Sequence, residues 1–451
     1  MSRCVMSWAF LPAINALAQE FSLAIDAQHG STPSRADPRK SAAITAIFQE
    51  HALREPLSCR SSAHRKAVEP TNPRRGRAQR SILRDRGLTR EQAEKRKAEA
   101  ARGERRSKVM ARQTETSVIE MERAAIAGTS LEVSRVAIGT WAIGGWMWGG
   151  TDEAESIATI RAAVEHGINL IDTAPVYGFG RSEEIVGKAI AEGHLRSRVL
   201  IATKTGIEWS GGSVFRNASR ARILQEVEDS LRRLRTDHID VYQVHWPDPL
   251  VRIEETAEAM RTLFVQGTIR AIGVSNFSVG QMERFRRVAP LHVLQPPYNL
   301  FERGIEADIL PYCRKNKISI FGYGALCRGL LSGRMRPDST FGGDDLRRTD
   351  PKFQQPRFGD YLAAVQRLDQ LARQRFHKRV IHLAVRWMLD QGVTTALWGA
   401  RHPGQLQPVD DVSGWRLDAP AKAEIDRILA ATISDPVGPE FMAPPARSIA
   451  A

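Results

Sequence analysis

The chain has 451 residues, 26% of them charged and 42% hydrophobic, enough for one core of about 250 residues or for two or three ordinary domains. No apolar run is long enough to span a bilayer, and Cys4, Cys59, Cys313 and Cys327 lack C-x-x-C or metal-ligand spacing, so neither a zinc site nor a disulfide framework is offered. The net charge of +14 is unevenly held: residues 1–120 carry 23 Lys+Arg against 13 Asp+Glu, leaving 42 against 38 for the rest. The bulk of the chain is therefore no polyanion binder.

In chain order, residues 1–120 read as a basic, low-complexity extension, expected to be disordered or non-native, with Met110 or Met121 as the effective start. The opening MSRCVMSWAFLPAINALAQ resembles a secretory signal only superficially, because Pro12 and Asn15 interrupt its apolar stretch. Residues 54–90 are rich in Arg, Ser, Pro and Ala, which cannot bury enough surface to offset ordering. The one helical stretch, TREQAEKRKAEAARGERRSKVMAR, is charged all round and has no face to bury. Aromatic residues are almost absent from residues 49–120, so stacking on bases is not offered either.

From Met121 the pattern changes. MERAAIAGTSLEVSRVAIGTW alternates about a Gly-Thr turn and predicts a hairpin. Eight short apolar runs follow: SRVAIGT, NLIDTA, VLIATK, IDVYQVH, IRAIGVSN, HVLQPPYN, SIFGYGA and TTALWGA. Amphipathic helical patterns separate them, with Thr151 and Ser182 as expected N-caps and Gly167 and Gly193 as stops. Eight βα units predict an α/β fold of the closed (β/α)8 TIM-barrel type with an N-terminal β-hairpin. G-x-G-x-x-G opening a helix does not occur, which argues against a dinucleotide fold of the open-sheet kind.

Chemistry in such a barrel gathers where the strands end. Asp172 closes the second strand, Lys204 the third and His245 the fourth, while Tyr177 sits in the loop after Asp172. Any one of these is commonly a cap, a surface ion pair or a core histidine; four at one rim make a constellation. A Lys ammonium favours the phenolate, so Lys204 is expected to make Tyr177 a better proton donor, with Asp172 keeping the ammonium charged. A neutral His245 could orient a carbonyl oxygen. No activated Ser or Cys and no second carboxylate for water attack is present, so a phenol donating to a carbonyl calls for hydride from a cofactor. A Schiff-base role for Lys204, as in an aldolase on the same barrel, is the competing chemistry.

DTAPVYG, ATK, VHWPD, GVSNF, LQPPYN and GARHPGQL stand in the order and spacing of one family: residues 121–451 resemble an aldo-keto reductase, with GTWAIGGWMWGGTDEAESIATI similar to its bacterial general-stress branch. The resemblance implies a catalytic tetrad of Asp172, Tyr177, Lys204 and His245, with Tyr177 as general acid, and NADPH-dependent reduction of an aldehyde or ketone to an alcohol. It implies that Ser275, Asn276 and Gln295 hold the nicotinamide carboxamide and that Tyr323 stacks on the ring. Leu326, Arg328, Gly329 and Gly333 would cover the pyrophosphate. Gly399, Arg401 and Gln405 would serve the adenosine side, Arg401 on the 2′-phosphate, which favours NADPH over NADH.

The family's usual Glu-Asn after that Gln is replaced by Pro408 and Val409, with Asp411 as a candidate substitute. Trp141, Trp146, Trp148 and Trp246 are candidates to line the substrate pocket. The insertion CRGLLSGRMRPDSTFGGDDLRRTDPKFQQPRF is expected to form a lid. The implied partner is a small carbonyl compound, with no metal, nucleic acid or membrane, in the cytoplasm; nothing selects monomer over homo-oligomer. The competing role within the family is a cofactor-binding regulatory subunit of a membrane channel, with little turnover.

Overall fold

The structure, a computed structural model, describes residues 120–447. The expected basic extension up to residue 119, its helical stretch and two of the cysteines, Cys4 and Cys59, lie outside the described residues. No helix among those described is long and apolar enough to cross a membrane.

Strands β1 (Arg123–Ala125) and β2 (Glu132–Ser134) form the expected antiparallel hairpin, with Arg123 opposite Ser134. Its apolar residues Ile126, Leu131 and Val133 pack with Ala137, Leu170, Val241 and Val293 from strand starts, together with Ala202 and Phe321, in one buried cluster. The hairpin thus plugs the amino end of the barrel, leaving the carboxyl end as the open mouth.

The barrel strands are β3 (Val136–Gly139), β4 (Leu170–Asp172), β5 (Leu200–Thr205), β8 (Val241–Val244), β9 (Ile272–Ser275), β10 (Val293–Gln295), β11 (Ser319–Gly322) and β12 (Thr395–Gly399). They pair in parallel in that order, and β12 closes on β3 with Ala396 opposite Val136. These are the eight apolar runs of the sequence. The ladder sets the rim: Asp172 lies opposite Ala202, Lys204 opposite Gln243, and Ser275 opposite Gln295.

Helices α1 (Glu153–Glu165), α2 (Arg181–Glu192), α3 (Arg220–Leu234), α4 (Ile253–Val265), α5 (Val279–Arg286) and α6 (Ile309–Asn316) each follow a barrel strand. After β11 come two helices, α7 (Arg357–Phe376) and α8 (Val380–Asp390), and after β12 comes α9 (Ala419–Thr432); α7 packs on both α8 and α9. A second hairpin, β6 (Ile207–Ser210) with β7 (Ser213–Arg216), rises from the end of β5. Its Gly211-Gly212 turn between alternating residues was a readable signal that the eight-strand pattern overshadowed.

Both expected N-caps move. Asp152, rather than Thr151, caps α1, its carboxylate accepting the Glu155 N–H at 2.8 Å. At α2 the N-cap is Gly180, in a left-handed conformation, while Ser182 lies buried inside the helix and serves the site instead. Of the two expected stops, Gly193 is the C-cap of α2, and Gly167 follows the α1 C-cap, His166.

His382 in the first turn of α8 is buried, and its Nδ1 accepts the Arg379 N–H at 3.1 Å. Burial pulls this imidazole down to about 4, below the roughly 6.5 of an unfolded histidine. Between those values the unfolded chain binds the extra proton, so stability is lost as pH falls from about 6.5 towards 4. The expected slope is up to about 1.4 kcal/mol per pH unit for this group. The fall in Tm from pH 7 to pH 5 should be smaller in His382→Gln than in the parent; equal falls would remove His382 as a cause.

Candidate active site

The loop that carries Tyr177 is set by backbone contact. A Cβ on Gly144 would lie 2.6 Å from the Tyr177 carbonyl carbon, and one on Gly178 would lie 2.1 Å from the Gly144 oxygen. Only glycines let the loops after β3 and β4 press together this closely. Ser182 ties the same two strand ends, its Oγ lying 2.7 Å from Thr140 Oγ1 and 2.9 Å from Thr173 Oγ1. Trp141 stacks on the Tyr177 ring at 6.0 Å and 23°. The phenol therefore stands on a fixed platform.

Lys204 has no exposed surface. Its Nζ donates to Asp172 Oδ1 at 2.6 Å and to the Thr173 carbonyl at 2.9 Å, and lies 5.0 Å from the centre of the Tyr177 ring. The other carboxylate oxygen of Asp172 accepts from Gln295 Nε2 at 2.8 Å and Gln243 Nε2 at 3.3 Å. The His245 ring meets Tyr177 edge-on at 5.7 Å. All four expected groups thus come together at the strand ends.

Their electrostatics differ from the expectation in one respect. Burial, and then the charge of Asp172, push the Tyr177 phenol well above its ordinary value. The Asp172 carboxylate, 2.6 Å from the Lys204 ammonium, acts on the phenol in the sense opposite to that expected of Lys204. Burial also lowers Lys204, against the pull of Asp172. Burial and the neighbouring Lys204 push His245 well below its usual range, so the imidazole is neutral, as its expected role requires. With its ammonium buried and paired, Lys204 is not presented as a Schiff-base nucleophile.

A cavity of about 640 Å³ opens over these groups. Trp141, Trp146, Trp148 and Trp246 all line it and none is fully buried, so none of the four is a core tryptophan. Lys204 lies behind the wall. Gly333, which ends the short turn Cys327–Ser332 and faces Val380, is exposed and does not line the cavity.

Ser275, Asn276, Gln295 and Tyr323 line the wall beside the tetrad and bond largely to one another. Ser275 Oγ donates to the Gln295 carbonyl at 2.7 Å, Asn276 Nδ2 donates to the His245 carbonyl at 3.0 Å, and Tyr323 OH donates to Asn276 Oδ1 at 3.0 Å. Gln295 Oε1 has no donor among the described residues, and Asn276 Oδ1 keeps one lone pair. Free acceptors beside an aromatic face fit the NH2 of a nicotinamide carboxamide.

Leu326, Gly329, Gly399, Arg401 and Gln405 line the far part of the cavity. Two arginines there are already engaged. Arg328 donates to Glu302 and Asp350, each at 2.5 Å, within a buried cluster that includes Lys352, so its charge is already paired. Arg401 donates to the Trp148 and Gly150 carbonyls at 2.9 and 2.6 Å, while Gln405 Oε1 accepts the Arg401 N–H at 2.7 Å. Asp411, the candidate substitute on the adenine side, pairs with Lys378 and does not line the cavity.

The insertion after β11 crosses to the loop after β3. Asp344 accepts the N–H groups of Met147 and Gly149 at 2.8 and 2.9 Å, and Leu346 N–H donates to the Met147 carbonyl at 3.0 Å. Ser339, Thr340, Phe341 and Arg347 from this segment line the cavity, in keeping with a lid. Sequence reasoning overlooked Gln243, although it stands two residues before His245 on the same strand face. It also overlooked Asp344, which no local pattern marks.

Asp172→Asn would leave the Lys204 ammonium buried without a counter-charge. The expected loss of stability is about 3 kcal/mol or more in urea unfolding, shrinking at alkaline pH as the amine sheds its proton. An unchanged midpoint at pH 7 would mean that the pair contributes nothing.

Residues 135–430 match the model of the Aldo/keto reductase family. The chain is 63% identical over 328 residues to the aldo-keto reductase YhdN of Bacillus subtilis, covering 72% of this chain and 99% of that one. It is 36% identical to an NADH-specific methylglyoxal reductase of Escherichia coli, covering 64% and 92%. Among solved structures, a glycerol dehydrogenase from Gluconobacter oxydans is 54% identical with a TM-score of 0.65, covering 73% of this chain and all of that one. An aldo-keto reductase from Klebsiella pneumoniae in complex with NADPH is 29% identical with a TM-score of 0.52, covering 66% and 91%. The chain belongs to the aldo/keto reductase family of NAD(P)H-dependent oxidoreductases.

Proposed function

We propose that the protein reduces aldehydes or ketones to alcohols with NADPH, using Tyr177 as the general acid. The observation that carries this reading is the grouping of a neutral phenol, a neutral imidazole and a buried, paired ammonium at the floor of one cavity. Bound against Tyr323, Asn276 and Gln295, the dihydronicotinamide would supply a hydride to the carbonyl carbon. As that carbon gains the electron pair, negative charge builds on the oxygen, and Tyr177 passes it a proton. The phenolate left behind faces Lys204, whose charge then has a second anion to stabilise. A neutral His245 orients the carbonyl oxygen without competing for its proton.

Two details favour this over cofactor binding without turnover. The Tyr177 proton is held firmly at rest, so it is present across the physiological range. Indole walls from Trp141 and Trp246 exclude water and suit apolar or aromatic carbonyl compounds. Steady NADPH oxidation with 4-nitrobenzaldehyde is the expected result; cofactor bound without turnover would favour the regulatory role.

Tyr177→Phe removes only the proton donor. Turnover should fall by roughly a hundredfold to ten-thousandfold, with NADPH affinity by fluorescence titration nearly unchanged; loss of both would make Tyr177 structural. Preference for NADPH rests on Arg401, whose fork must trade a carbonyl of the Trp148–Gly150 loop for the 2′-phosphate. Arg401→Met should weaken NADPH about tenfold or more while leaving NADH binding unaltered. Equal affinity of the parent for both cofactors would remove Arg401 from that role, and equal losses in the variant would mean it only pins the loop.

A further inference from the structure

Outside the barrel core lies a small apolar cluster at the mouth. Ala174, Val176 and Ile207 are its buried centre, with Trp146, Tyr177, Trp209, Val214 and Trp246 packed against them. Tyr177, Trp146, Val214 and Trp246 line the cavity, but Trp209 and its neighbour Phe179 do not. The apolar surface therefore continues past the cavity's edge, from the reacting phenol outward over two more rings. Phe179 bridges this step, its ring centre 4.9 Å from Trp146 and 5.7 Å from Trp209. Trp209 stands on the β6–β7 hairpin, with the Arg222 guanidinium 5.7 Å from its ring centre and that cation held in turn by Glu226.

Phe179 is an odd residue for its place. Its φ of +58° is left-handed, a conformation that costs an aromatic residue roughly 1–2 kcal/mol and glycine almost nothing. Burial does not offset that strain, because 41% of the residue remains exposed. A strained backbone that holds a large ring half in water, flush with the edge of a reaction cavity, points to a contact made only when substrate is present. The cavity must accept both a dinucleotide and the reacting end of a carbonyl compound. A substrate longer than a few carbons would leave it between Trp146 and Val214 and meet Phe179 and Trp209 at once.

We propose that Trp146, Phe179 and Trp209 form a distal subsite for the apolar tail of an elongated aldehyde or ketone, an alkyl chain or second aryl ring attached to the carbonyl end. This rests on the reductase reading of the cavity. The subsite adds binding energy that grows with tail length and leaves the chemistry at Tyr177 alone. Its signature is a falling KM with nearly constant kcat.

The test uses the full chain with NADPH and straight-chain aldehydes from propanal to decanal. In the parent, kcat/KM should rise by roughly three- to fourfold per methylene over the carbons that reach the shelf. Phe179→Gly relieves the left-handed strain and so should fold at least as well as the parent. In it and in Trp209→Ala, KM for decanal should rise about tenfold or more while propanal kinetics stay the same. Equal shifts for short and long aldehydes, or none, overturn the subsite. Binding of 1-decanol against 1-propanol, followed by calorimetry without turnover, separates the two readings. If the parent prefers decanol and Phe179→Gly loses that preference, the subsite stands even where no aldehyde is reduced; if neither alcohol discriminates parent from variant, it falls.

Discussion

A charged amine with no exposed surface is the constraint around which the rest of this barrel is arranged. The buried Lys204 amine is met by Asp172 and a backbone carbonyl, and the buried Asp172 carboxylate is met in turn by the amine and two glutamine side chains. Those partners come from four strands, β4, β5, β8 and β10. The parallel ladder must therefore be in register before the pair exists at all. The plugged amino end and the closed β12–β3 seam secure that register, and the polar end of the barrel is left as the one place where such a group can be approached. The pair is in this sense a consequence of barrel closure, and the reactive phenol above it a consequence of the pair.

How much of this could be read from residues alone depends on how local each signal is. The eight strands were legible because each is a short apolar run bounded by turn residues, and the tetrad because a polar residue at the end of such a run has nowhere to go but the rim. Tryptophans 141, 146, 148 and 246 are ambiguous in sequence, since an indole looks the same in a core and on a wall; only the shapes of the loops after β3 and β8 make them wall. Ser182 was misread as a helix cap for a related reason. A serine near a helix start is usually a cap, yet here Gly180 takes the turn and the hydroxyl is drawn inward to two threonines of adjacent strand ends.

The cofactor arm was legible in outline and opaque in its charges. Arg328 and Arg401 stand where cationic contacts were expected, but a guanidinium's partners are set by tertiary pairing. Glu302 and Asp350 come from distant segments, as do the carbonyls of Trp148 and Gly150. So paired, Arg328 braces the three consecutive left-handed residues Cys327, Arg328 and Gly329. On the proposed reading, that loop would meet the pyrophosphate through its backbone, and the charge that discriminates one dinucleotide from another would be concentrated in Arg401.

The raised phenol, opposite to the simple expectation from Lys204, would suit the proposed reduction better than an acidified one. An acid that ionised near neutrality would spend part of its time as phenolate, beside a carboxylate and unable to donate. Held neutral by burial and by Asp172, Tyr177 would keep its proton, on the proposed reading, until an oxygen of alkoxide-like basicity appeared beside it. On the proposed reading the balance then inverts: the new phenolate, its ring centre 5.0 Å from the ammonium, would share that cation with Asp172 at 2.6 Å. The same geometry disfavours ionisation of the phenol by itself and would favour it during the proposed transfer. Proton delivery would thereby be tied to arrival of the hydride, with no movement required of the buried Lys204.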